Sequence, residues 1–534
     1  MQQIWSGLMG YINRVPASWR ISSMQAEAML KKEKDVHKQR ARDEEKAPEK
    51  TPSKEGEVCC YPGPGYPTPL DAMKGPRETL MYVTCILTDT GTQMPDYLAT
   101  LDVNPRSPYF CQVIHRLQMP CINDELHGMG WDTGSSCFGD PTKKRNRLVL
   151  PGFNSSRIYI VDTETDPKAP CLFKVIEPRE VFCKANVATL RTVHFMPPGD
   201  VLIGSLADLY GNGKGAFVVL DAETWDVKGT WNAPGDAAAK GYDFWFQPRH
   251  NVLVSSEAGD PKFFLNGFNP EDLNKGRYGR CLNVWDLTTH CLVQSLDLGE
   301  DSGPLHVRFL HNPDSPHGFV GCALEGALHH IFRKQDGSWA TEKVIQIPKK
   351  VVTGWYQPEM TSFLTATVIS LDDRFLYLSN WFHGDIRQYD ISDPHCPRLT
   401  GQVFVGGSIQ KGGAVTVIHD DELECQPDPF MLQGRRVHGG PQMLQLSLDG
   451  KRLYVTNSLC TPWDKQFYPQ MVRYEVFGLN THTIFANFAL LLLLFLFVLH
   501  AKPIPTFYYF VISSPFVSEF YNLFSFLEFP NQLF

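Results

Sequence analysis

Two stretches decide how this chain folds: SLDDRFLYLSNW (370–381) and SLDGKRLYVTNS (447–458). They agree nearly position for position. Each reads as a strand, a tight turn carrying Asp, and a second strand of aromatic and β-branched residues. Looser copies are HFMPPGDVLIGSL (194–206), WFQPRHNVLVSSE (245–257) and RFLHNPDSPHGFVGCAL (308–324). A companion unit follows most copies: a strand ending in Asp, a short polar turn and another strand. It recurs as RIYIVDTETDPKAPCLFKVI (157–176), GAFVVLDAETWDVKGTW (215–231), CLNVWDLTTHCLVQSL (281–296) and IRQYDISDPHCPRLTGQVF (386–404). The aspartates at 162, 221, 286 and 390 are 59, 65 and 104 apart, the last about two periods of 52. Four strands recurring at that spacing form the pattern of a propeller blade. Long helical periodicity between the strands is lacking, which argues against a parallel α/β fold. The fold expected is all-β, a seven-bladed β-propeller spanning residues 59–473. The last clear strand pair ends near Leu459, so the last blade is expected to be incomplete and the ring to carry an open edge.

Composition supports a large folded unit with appendages. The 534 residues are 43% hydrophobic and 20% charged, which excludes disorder of the whole chain. Fifty basic against 58 acidic residues give a net charge of −8, which argues against nucleic acid as a main partner. Glycine (42) and proline (39) run above average, as a turn-rich fold requires. The 14 cysteines are scattered with no C-x-x-C pair, so they read as small buried residues of a reducing, cytosolic protein. The N-terminus lacks the compact apolar region of a secretory signal.

Composition shifts sharply at both ends. Residues 31–57 are almost entirely charged, Pro, Gly, Ser or Thr, so residues 1–58 read as a disordered, charged extension. Its KKEK and KQRAR runs are interrupted by acids and make weak nuclear-localisation signals. Residues 474–534 form an apolar, divergent tail. Within it IFANFALLLLLFLFVL (484–499) is a candidate membrane-associating segment, although 16 residues fall short of the roughly 20 of a span. The alternative is a tail foreign to the fold.

The repeat sorts the histidines. His250 and His311 fall in turns on the face opposite the loops that enter the innermost strands, and read as structural. His127 (DELHGMGW), His194 (RTVHF) and His306 (PLHVRF) lie near the start of innermost strands. Asp243 and Glu359 (QPEM) hold equivalent places, and His383 (NWFHGD) sits in a turn on that same face. Imidazoles and a carboxylate converging on a channel mouth suit a borderline metal such as copper, iron or zinc. The metal-ligating candidates are therefore His127, His194, His383 and Glu359. His290, His329, His330, His395 and His438 lie outside this pattern. Cys137, in GSSCFGD, sits in a Gly/Ser-flanked loop where a thiol is accessible, and is the candidate reactive cysteine. GNGKG (211–215) lacks phosphate-loop spacing and precedes a strand, so it reads as a hairpin turn.

Longer segments carry a family resemblance. GPGYPTPLDAMKGPRE (63–78), PDYLATLDVNPRSP (95–108), CQVIHRLQMP (111–120), DELHGMGW (124–131), SSCFGD (135–140), GYDFWFQPRHNV (241–252), SLDDRFLYLSNWFHGDIRQYDISDP (370–394) and GGPQMLQLSLDGKRLYVTNSL (439–459) closely resemble the selenium-binding protein/methanethiol oxidase family. The resemblance implies a cytosolic propeller that oxidises methanethiol with O₂ and water to formaldehyde, hydrogen sulfide and hydrogen peroxide. It also implies copper, as in bacterial members, and selenium held through the cysteine that matches Cys137, a catalytic position. Intra-Golgi protein transport, peripheral membrane association and a nuclear location are further implications. The chain departs from the pattern in places: Gly128 stands for the second of two histidines, Arg191 for another, Ala366 for an aspartate, and everything after Arg473 diverges. These departures favour, as the alternative, a non-catalytic selenium-binding scaffold or an inactive truncated paralogue.

Overall fold

The computed structural model describes residues 64–196, 199–432, 434–473 and 494–495. The expectations for residues 1–58 and for the segment 484–499 fall outside these, apart from the pair 494–495. Among the described residues no helix is long and apolar enough to cross a membrane.

Strands follow one another as antiparallel meanders. The first sheet holds β1 (Leu80–Cys85), β2 (Tyr97–Asp102) and β3 (Gln112–Gln118). The second holds β4 (Gly130–Trp131), β5 (Arg147–Pro151), β6 (Ile158–Asp162) and β7 (Cys171–Ile176). Next come β8 (Ala188–Met196), β9 (Asp200–Ala207), β10 (Gly213–Asp221) and β11 (Val227–Thr230). The fourth comprises β12 (Phe244–Gln247), β13 (Val252–Ser256), β14 (Cys281–Asp286) and β15 (Leu292–Asp297). The fifth comprises β16 (Pro304–Phe309), β17 (His317–Cys322), β18 (Ala327–Arg333) and β19 (Trp339–Gln346). An excursion, β20 (Lys350–Thr353) and β21 (Glu359–Met360), precedes a further four-stranded sheet of β22 (Leu364–Ile369), β23 (Phe375–Asn380), β24 (Asp385–Asp390) and β25 (Arg398–Phe404). β26 (Thr416–His419) returns to pair with β20, and β27 (Met431–Leu432) pairs with β28 (Arg435–Arg436). The last sheet has three strands, β29 (Leu444–Leu446), β30 (Arg452–Val455) and the two-residue β31 (Leu494–Phe495).

The architecture is a β-propeller. First strands of successive sheets are neighbours, β4 with β8, β12 with β16, β16 with β22 and β22 with β29, as strands around a hub must be. Apolar clusters sit between consecutive sheets. Val149, Ile160, Val193 and Ile203 join the second to the third, and Phe319, Leu328, Leu364 and Leu376 join the fifth to the next. The repeated aspartates have a local reason. Each ends a third strand and turns its carboxylate back onto the following backbone: Asp162 accepts from the N–H of Glu164, Asp221 from Glu223, Asp286 from Thr288 and Asp390 from Ser392, at 2.8–2.9 Å. Such Asx turns close the outer hairpin of each sheet. GNGKG is a hairpin turn as expected, running from the end of β9 into β10.

Candidate active site at the propeller hub

Irregularities in the first strands aim side chains into the hub. The β8–β9 register slips between Leu190 and Val193, and the β16–β17 register slips between Pro304 and Val307. A bulge leaves its extra residue out of the ladder and re-aims it. Here the freed residues include Arg191 and Leu305, and both line a cavity. Its volume is about 50 Å³, where about 10–15 Å³ by this measure holds one water. The space therefore suits a few water-sized groups. Aromatic and aliphatic walls come from Phe153, Tyr242, Phe264, Leu305, Ala323 and Phe363, and polar atoms come chiefly from His127, Arg191 and Cys460.

His127 is positioned by Glu125. Its Nε2–H donates to Glu125 Oε1 at 3.1 Å, and the ring meets Phe153 edge-on with centroids 5.3 Å apart. In the neutral ring Nδ1 then carries the lone pair. Glu125 is fully buried, and burial pushes its pKa up. The hydrogen bond from His127 and those from the Thr461 N–H (2.7 Å) and Asn154 (2.7 Å) outweigh that and hold it below the usual carboxylate range. Thr461 opens the helix Thr461–Phe467, whose Trp463 covers the cavity. Arg191 lies over the Tyr242 ring, 3.8 Å from its centroid, and reaches His306 Nε2 at 3.5 Å. His306 is fully buried, which lowers its pKa to about 3. Asp243 accepts from Thr192 Oγ1 (2.8 Å), the Val307 N–H (3.1 Å) and Arg308 (2.7 Å), so it is already saturated.

The four residues singled out as metal ligands are not gathered. Among the described residues, no three of them bring ligand atoms within 4.8 Å of one another. His194 donates from Nε2 to the Phe244 carbonyl at 3.0 Å and is boxed in by Phe244, Trp245 and Phe246 at 4.7–6.0 Å. His383 donates from Nε2 to the Met360 carbonyl at 3.3 Å. Burial lowers both pKa values to about 4. Glu359 is exposed on β21, with Lys349 at 3.6 Å, because β21 pairs with β20 instead of starting a hub strand. The departures noted in the sequence explain part of this. A Cβ on Gly128 would stand 2.1 Å from the Arg191 carbonyl oxygen, so no second histidine fits there. Arg191 also puts a fixed cation where the family pattern has an imidazole. The hub residues present thus do not fit a copper ion.

Cys137 lies in the short turn Ser135–Cys137, half-buried and outside the cavity wall. The thiol on the wall is Cys460, which composition and motif reading missed. A signal for it existed: Cys460 and His383 each stand thirteen residues into their copies of the quoted repeat. Burial raises the Cys460 pKa well above the usual thiol range. Position in the chain gave no hint of a second cluster, His317, His330 and His395, whose ligand atoms all lie within 4.8 Å of one another away from the hub.

The molecule is thus a β-propeller whose hub cavity sets an imidazole, a guanidinium and a thiol among aromatic walls. Residues 60–484 match the family described as 56 kDa selenium binding protein (SBP56), and the chain belongs to that family. It is 60% identical over 416 residues to a methanethiol oxidase of Xenopus tropicalis, covering 78% of this chain and 88% of the relative. It is 59% identical to a methanethiol oxidase of Homo sapiens and 57% identical to selenium-binding protein 2 of Mus musculus, each over 415 residues and with the same coverage. Among solved structures, a hypothetical selenium-binding protein from Sulfolobus tokodaii is similar with a TM-score of 0.67 and 39% identity, covering 76% of this chain and 88% of that one.

Proposed function

We propose that this chain is a methanethiol oxidase, converting methanethiol, O₂ and water to formaldehyde, hydrogen sulfide and hydrogen peroxide. The observation that supports this most directly is the small apolar cavity carrying His127 and Arg191, in a chain about 60% identical to methanethiol oxidases. A one-carbon thiol matches the volume. Its methyl group packs against Phe153, Leu305 and Ala323, and its sulfur faces the charged and basic groups. His127 Nδ1 takes the thiol proton while Glu125 holds the ring, and the Arg191 cation stabilises the thiolate. Selenium attachment is assigned to Cys137 and not to Cys460, whose thiol stays protonated.

The test is an assay of hydrogen sulfide and peroxide from methanethiol by the purified full chain, with and without added Cu²⁺. Saturable formation of both products is expected, falling by about 10²–10⁴ in His127→Ala, the usual contribution of a positioned base. Equal rates in wild type and His127→Ala, or no product from either, would reject the reading in favour of a non-catalytic scaffold.

A further inference from the structure

Away from the hub, between the fifth sheet and its successor, four side chains meet that no hub chemistry uses. His317 opens β17, His330 lies in β18, Glu342 lies in β19, and His395 stands in the turn ahead of β25 of the next sheet. His330 Nδ1–H donates to Glu342 Oε1 at 3.0 Å, which leaves Nε2 as its lone-pair nitrogen. His317 Nδ1 faces that nitrogen at 2.9 Å. His395 Nδ1 hydrogen-bonds the same Glu342 oxygen from across the sheet boundary. The rings are fixed by packing: His330 is stacked on His317 at 5.0 Å and on Phe332 at 5.2 Å, with His395 edge-on at 4.6 Å.

Three imidazoles with ligand atoms within 4.8 Å of one another match the spacing that a four-coordinate ion needs. Nitrogens at 2.0–2.1 Å from zinc are about 3.3 Å apart, so the 2.9 Å between His317 and His330 opens only slightly. A carboxylate behind a ligating histidine is also the arrangement that fixes ring orientation in metal sites. His330 is fully buried, but His395 is half-exposed, so an ion enters from the His395 side. We propose that His317, His330 and His395 bind one borderline divalent transition-metal ion, oriented by Glu342, which staples two neighbouring propeller sheets together. In binding, the ion takes the place of the His317 Nδ1 proton that lies between the two rings; that proton passes by way of solvent to His317 Nε2, so the ring stays neutral and no net proton is released.

The probe is Zn²⁺, titrated calorimetrically into EDTA-stripped, dialysed full-length protein. One equivalent is expected to be lost in His395→Ala and in His317→Gln/His395→Ala, and to persist in His127→Ala. Glu342→Gln is expected to weaken that equivalent by about tenfold to a hundredfold. Zn²⁺ should raise the melting temperature of wild type and leave that of His395→Ala unmoved. Because the His395 side chain is half-exposed, its metal-free melting temperature should match wild type, which separates loss of a ligand from loss of fold. Absence of Zn²⁺ binding by wild type, or unchanged stoichiometry and affinity in the double variant, overturns the proposal. Either result is independent of whether the hub oxidises methanethiol.

Discussion

His194, His306, His330 and His383 are all held neutral by burial, with pKa values lowered to about 3–4. An unfolded histidine takes a proton near 6.5, so between that pH and about 4 the unfolded chain binds protons that the native chain refuses. Stability is therefore full above pH 6.5 and falls as the pH drops toward 4. For one fully buried ring the total is on the order of 3 kcal/mol. His194→Phe puts another ring among Phe244, Trp245 and Phe246, and urea unfolding of this variant should show a shallower decline over that window by about that amount. Curves parallel to wild type would contradict the assignment. At this scale the sequence exposed some positions and hid others. His127 was visible because its motif lies at the start of a first strand. Cys460 was visible only through its register with His383. The convergence of His317, His330 and His395 was invisible, because it depends on how two sheets pack and not on any spacing along the chain.

The helix Thr461–Phe467 acts as the cover of the cavity and as the strut behind His127. Its Thr461 N–H holds Glu125, and Trp463 Nε1–H donates to the Phe264 carbonyl at 2.8 Å. Asp464 faces inward, fully buried, accepting from the Leu459 N–H at 3.0 Å and from Ser458. Burial raises its pKa to about 8. The native state therefore keeps a proton that the unfolded chain has released since about pH 4, and stability falls as pH rises through this range. Between pH 6 and 8 the wild type should lose about 2–3 kcal/mol that Asp464→Asn retains. Thermal melts of the two proteins across that interval measure the difference, and an identical slope would show that Asp464 ionises freely. The strand hairpins were legible from alternation and turn residues. This helix was not, since seven residues make barely two turns and leave no periodicity to read. Glu359 misled for a related reason: its motif sits beside a hub strand, yet β21 pairs outward with β20.

Closure of the ring distinguishes the whole molecule from its parts. β3 leads into β4 as β7 leads into β8, so β1–β3 correspond to the second to fourth strands of the other sheets. Among the described residues this first sheet has no hub strand of its own, and the last sheet has only the short β31 beyond β30. Side chains bridge the seam instead. Arg452 on β30 grips Glu78 through two hydrogen bonds at 2.6 and 2.8 Å, Tyr454 adds its hydroxyl to the same carboxylate, and Asp449 takes Arg452 from behind at 2.8 Å. The Tyr454 ring packs with Val83, Cys85, Tyr97 and Ala99 of β1 and β2. The repeat count made an open edge the expectation, but no sequence pattern pairs residue 78 with residue 452. Removing one partner of a largely buried pair strands the other charge, which typically costs 3–5 kcal/mol, whereas replacing both with apolar groups is often neutral. Arg452→Ala should therefore destabilise the fold by about 3–4 kcal/mol in urea titration, and Glu78→Leu/Arg452→Met by much less. Amide exchange should quicken together in β1 and β30 of the single variant while β13 and β14 remain protected. Faster exchange confined to β30 would mean that the seam is held elsewhere and that the first and last sheets are coupled only through the hub.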